Sequence, residues 1–78
     1  MMKDKIRDRL YECVTHLLFD YKGKAGGVDP LARDKEYDMW YGDDSITVDS
    51  LDKAMKTKFF DGKSLEEISD EIENVEGL

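Results

Sequence analysis

A chain of 78 residues with one cysteine and one histidine has no covalent or metal staple to rely on. A single Cys excludes an intramolecular disulfide framework, and a single His excludes a His-rich zinc site. All cohesion must come from one apolar core, because a second core does not fit within this length. Chains this short bury only about 60% of the surface that their unfolded form exposes. The expectation is a single domain over residues 1–78, with modest stability, for which association is the easiest way to gain more core.

The hydrophobic pattern divides the chain into three parts. Ile6, Leu10, Cys13, Val14, Leu17, Leu18 and Tyr21 recur at helical spacing, which predicts one long helix over residues 4–22. Asp4 is placed to cap it and Gly23 to stop it. Phe19 alone points away from that stripe. Residues 23–36 contain Gly23, Gly26, Gly27 and Asp29-Pro30, and read as a flexible connection with at most one helical turn. In residues 37–48, Tyr37, Met39 and Tyr41, then Ile46 and Val48, alternate with polar residues across Gly42-Asp43-Asp44. This is a β-hairpin signal.

The remainder reads as two helices. Asp49 or Ser50 caps a short one presenting Leu51, Ala54 and Met55, and Asp61-Gly62 breaks it. Ser64 and Glu67 then have capping-box spacing before Leu65, Ile68, Ile72 and Val75, which repeat at helical steps. The predicted fold is α+β, in the order α-β-β-α-α: a long N-terminal helix, a central hairpin and two C-terminal helices.

Charge is unevenly placed. Twelve Lys and Arg face nineteen Asp and Glu, for a net charge of −7. Residues 1–39 carry eight of each sign, so the whole excess lies in residues 40–78. A fold with that balance is a poor general binder of nucleic acid or of anionic membranes, since phosphate recognition needs a basic face. A helix–turn–helix reading of residues 50–75 fails for the same reason. Its second helix would present Glu66, Glu67, Asp70, Glu71 and Glu73 to DNA. Carboxylates along one helix face suit a basic protein surface instead, with a solvated face as the plain alternative.

Catalytic chemistry finds little support. His16 lies four residues from both Glu12 and Asp20, an ordinary surface pairing distance on a helix. Cys13 falls in the apolar stripe, so a Cys–His pair would lack an exposed thiol and an orienting third group. The run Gly23-Lys24-Ala25-Gly26-Gly27 departs from the phosphate-binding loop pattern. Glu67, Asp70 and Glu71 could approach one cation, yet no calcium-loop pattern surrounds them, and Asp43-Asp44 lacks it as well. No cofactor or metal is expected. The aromatic residues Tyr37, Trp40, Tyr41, Phe59 and Phe60 are more informative. With Tyr37, Met39 and Tyr41 facing inward, Trp40 projects from the opposite face. Tyr37, Tyr41 and Phe59 are assigned to the core, and Trp40 or Phe60 to partner contact.

The segments Tyr37-Asp38-Met39-Trp40-Tyr41-Gly42-Asp43 and Phe59-Phe60-Asp61-Gly62-Lys63-Ser64-Leu65-Glu66-Glu67-Ile68 resemble small proteins encoded by phages and prophages of Gram-positive bacteria. The resemblance spans residues 37–72 and implies a context, a small accessory phage protein that binds a host factor. It implies no catalytic residues. No secretory h-region or membrane-spanning run is present, so a cytoplasmic location is expected.

The sequence therefore points to a non-enzymatic interaction protein. Trp40, Phe60, Glu67, Asp70 and Glu71 are its expected partner-binding residues, on the acidic C-terminal half, and its expected partner is a basic protein. Two other readings stand beside it. One is a structural homo-oligomer, such as a homodimer, that associates through a hairpin edge or through the first helix; the other is a carboxylate-based metal-dependent module or enzyme.

Overall fold

The computed structural model describes residues 2–78. In chain order the elements are α1 (Met2–Glu12), β1 (Leu17–Tyr21), β2 (Lys24–Ala32), β3 (Glu36–Tyr41), β4 (Asp44–Val48), α2 (Leu51–Lys56), α3 (Leu65–Ile68) and β5 (Glu73–Glu76). The five strands form one antiparallel sheet in the order β4-β3-β2-β1-β5. The α-β-β-α-α fold is thereby corrected. The class is still helix-on-sheet, but the sheet is far larger than a hairpin and both long predicted helices are shorter.

Each departure has a local cause. The first helix ends at Glu12 because Cys13 turns left-handed at φ 58°, its N–H donating to Arg9 O at 3.3 Å. Beyond it, Leu17, Phe19 and Tyr21 are buried in strand alternation. Leu17 and Tyr21 fit a helical and a strand period equally well. Phe19, the residue that violated the helical stripe, was the strand signal.

Residues 23–36 are the central strand β2 and its flanking turns rather than a loose connection. Gly26 and Gly27 serve close packing there. A Cβ on Gly27 would lie 2.5 Å from Leu17 O and 2.8 Å from Trp40 Nε1. Pro30 is tolerated in a central strand because β1 stops at Leu17, opposite Val28, leaving Pro30 no β1 neighbour to bond.

The last predicted helix contracts to Leu65–Ile68. Its capping box is present: Ser64 Oγ accepts from Glu67 N at 3.2 Å, and Glu67 Oε1 accepts from Ser64 N at 2.9 Å. Continuation through residue 75 would stack Glu66, Glu67, Asp70, Glu71 and Glu73 at repelling i,i+3 and i,i+4 spacings, with no base to meet the helix C-terminus. The chain turns instead, and β5 joins the outer edge of β1.

The helices cover one face of the sheet. Ile6 and Leu10 from α1, Ala54 and Met55 from α2, and Leu65 and Ile68 from α3 meet Leu17, Val28, Tyr37 and Met39. Phe60 packs against the rings of Phe19, Tyr41 and Phe59, with centroids 5.5, 5.7 and 5.2 Å away. Two of the three buried tyrosines, Tyr37 and Tyr41, hydrogen-bond to backbone groups. Tyr37 Oη donates to Leu10 O and accepts from Asp34 N, while Tyr41 Oη donates to Tyr21 O at 2.7 Å. Burial pushes both phenols above their ordinary range, which keeps them donors.

Candidate functional site: the open face of the sheet

Strand pleating aims alternate residues at the side that carries no helix. Registers across the sheet align Glu76, Leu18, Gly27, Trp40 and Ser45 in one row on that side. On one flank Asp29 lies directly opposite Asp38, with Thr47 beyond. On the other flank Glu73 lies opposite Asp20, with Ala25 beyond. The row thus carries two apolar side chains, Leu18 and Trp40, on either side of Gly27, with Glu76 and Ser45 at its ends and an acid pair on each flank. None of these register-defined outward positions carries a Lys or Arg.

Two features make this arrangement more than a solvated surface. Acids placed directly across an antiparallel ladder repel one another, and a fold selected only for stability would avoid two such pairs on one face. The glycine at position 27 also leaves room for the Trp40 indole to lie against the strand backbone, half-buried. Between Trp40 and the Asp29–Asp38 pair is an open depression of about 420 Å³ bordered by Ser45, Ile46 and Thr47. Thr47 Oγ1 donates to Asp38 Oδ1 at 2.7 Å, and Asn74 Nδ2 donates to Asp20 Oδ2 at 2.8 Å. These bonds orient two of the four carboxylates without neutralising them.

A larger surface depression, about 900 Å³, lies between α1 and α2 and has a different character. Its charged groups serve the fold. Arg7 Nη2 meets Asp52 Oδ1 at 2.8 Å, which raises the guanidinium and lowers the carboxyl, and Asp34 Oδ1 accepts from Leu51 N at 2.9 Å. Among the described residues, no group of three or more His, Cys, Asp or Glu is placed to hold a metal ion. No described helix is long and apolar enough to cross a membrane.

The residues expected to form a binding site are separated. Trp40 is on the open face, opposite to Tyr37, Met39 and Tyr41, all three of which are buried. Phe60 is fully buried at the centre of the aromatic cluster, so it offers a partner nothing, while Phe59 is only half-buried. Glu67 belongs to the capping box and also meets Lys58 Nζ at 2.6 Å. Asp70 and Glu71 lie exposed in the turn after α3 and share no helical face with Glu67. The pairs Asp29–Asp38 and Asp20–Glu73 were missed. Their signal was present as acids at the polar positions of short strands, but it requires residues 17–32 to be read as strands.

Glu67 carries a clear pH dependence. The Lys58 ammonium, followed by the Ser64 backbone N–H, holds its carboxyl down from 4.5 to about 2. A carboxyl depressed in the folded state stabilises the fold fully above its unfolded value, and this contribution is lost as pH falls through the folded value. Acid titration of Glu67→Gln should therefore show a smaller loss of stability between 4.5 and about 2 than the parent shows. Parallel curves for the two proteins across that window would contradict it.

No family model, curated protein or solved structure matches this chain.

Proposed function

We propose that this protein is a non-enzymatic interaction module whose open sheet face binds a basic segment of another protein. The observation that carries the reading is the apolar pair Leu18 and Trp40 in the middle of the open face, flanked by the directly opposed pairs Asp29–Asp38 and Asp20–Glu73. A guanidinium or ammonium from a partner would relieve that repulsion, and the Trp40 ring offers it a cation–π surface. Basic groups on both sides of an apolar residue would match the row and its two flanks. The resemblance to small phage proteins points to a host protein as the carrier of that segment, and to the bacterial cytoplasm as the place of encounter.

Trp40 is the only tryptophan and reports directly on the site. An arginine-rich peptide alternating with valine should change its emission saturably, and more weakly as salt is raised. Asp29→Asn with Asp38→Asn should weaken binding about tenfold or more. Combined replacement of Glu67, Asp70 and Glu71 by their amides should leave binding within about twofold of the parent. An unresponsive Trp40, or equal binding by the Asp29/Asp38 variant, would remove the proposal. A loss confined to the Glu67/Asp70/Glu71 variant would place the contact at the C-terminal acids instead.

A further inference from the structure

The sheet has two free edges, and they are unequal. β5 is short and acidic, meets β1 through a register irregularity, and contains Asn74 at φ 51°. Those features blunt an edge. β4 is regular over Asp44–Val48 and holds no proline, lysine or bulge.

The backbone of β4 can be assigned by parity. Gly42 and Asp43 form a two-residue turn, so Tyr41 and Asp44 are a hydrogen-bonded pair. Gly42 N–H accordingly donates away from β4, to Ala25 O at 2.8 Å. Along β4, the backbone groups of Asp44, Ile46 and Val48 then face β3. Those of Ser45 and Thr47 face outward, with no strand to receive them.

We propose that two copies of this chain join β4 to β4, antiparallel about Ile46, into one continuous sheet. This register is self-complementary. Each Ser45 meets the partner's Thr47 as a hydrogen-bonded pair, and Ile46 meets its own copy as a close non-hydrogen-bonded pair. Asp44 falls opposite Val48, so no acid within the strand faces another. Just outside the strand Asp43 approaches Asp49, whose carboxylate is held by Lys53 Nζ at 2.9 Å. Half-buried Ile46 gains its own copy as an apolar neighbour on the helix side, with each Val48 diagonal to it, which extends a core that is small for a domain. The contact is limited in area and belongs with weak, micromolar associations. It is independent of the basic-partner reading, since Trp40 remains on the open face of each copy.

Sedimentation of the full chain from low micromolar to near-millimolar concentration should show a reversible monomer–dimer equilibrium, strengthened by salt because each copy carries −7. Ser45→Pro removes an edge donor without touching a β3–β4 bond and should weaken the dimer about tenfold or more. Ser45→Glu, which leaves the backbone free and adds to the negative charge of each copy, should weaken it as well. Register is read by oxidation in a Cys13→Ser background. Ile46→Cys should cross-link efficiently, because close non-hydrogen-bonded Cα atoms lie within disulfide reach, whereas Ser45→Cys should not. A chain that stays monomeric at the highest concentration overturns the proposal. So does a dimer that survives both Ser45 variants, or one that Ile46→Cys fails to cross-link.

Discussion

Replacement of Phe60 by alanine should leave much of the protein unfolded at room temperature. The ring is wholly buried and contacts Phe19, Tyr41 and Phe59, which belong to two strands and to the segment between α2 and α3. Phenylalanine-to-alanine changes in cores cost about 3–5 kcal/mol. A domain of this length has a total stability of about 4–12 kcal/mol. The loss therefore consumes most or all of the stability at the low end of that range, where a domain without disulfide or metal falls. Collapse around the cavity is restricted, because the surrounding rings are held: Tyr41 Oη is tied to Tyr21 O, and Phe60 N–H donates to Lys63 O at 2.8 Å. Phe59→Ala, at a half-buried position, should cost distinctly less. Urea unfolding followed by far-UV circular dichroism measures both. A midpoint for Phe60→Ala equal to that of Phe59→Ala would show that the aromatic cluster is not the keystone of the core.

Phe60 also shows what the sequence could and could not convey. Two adjacent phenylalanines next to Asp61-Gly62 announce a break with apolar residues near it. Which of the two turns inward depends on a bridge between Phe60 and Lys63 that no periodicity encodes. The capping box at Ser64 and Glu67, the Ser50 cap and the pairing of residues 37–41 with 44–48 rest on neighbours in sequence, and all were readable. The errors arose where two periods coincide. Leu17 and Tyr21 suit a helix and a strand alike, and only the left-handed turn at Cys13 separates the two elements.

Ile72 and Val75 misled in the same way, by continuing a helical spacing that the acids from Glu66 to Glu73 cannot sustain as a helix. Gly26 and Gly27 were the deeper ambiguity. Glycine marks a flexible link and a crowded strand equally, and only the positions of Trp40 and Leu17 decide between them. The open face was hidden by the same step, since its acid pairs become opposed only once β2 and β5 take their places beside β1 and β3.

Gly27→Ala tests both the strand assignment and the site. The added methyl would lie 2.5 Å from Leu17 O, a backbone atom fixed by the β1–β2 ladder, and 2.8 Å from Trp40 Nε1. The side chain can swing away and the carbonyl cannot, so the strands must separate locally. Overpacking of this kind costs about 1–3 kcal/mol. A flexible linker would instead gain roughly 0.4–1 kcal/mol from the same change, through lost freedom in the unfolded chain. The two readings of residue 27 thus predict opposite signs. Trp40 emission should shift as its ring is displaced toward water, and peptide binding should weaken with it. A double-mutant cycle with Trp40→Ala separates the contributions. Removal of the indole should relieve the ring clash and leave the clash with Leu17 O, so the double variant should be less destabilised than the two single effects added together. Strict additivity would mean that the indole does not lie over Gly27, and the open face would then lack the packed ring on which a partner's side chain could rest.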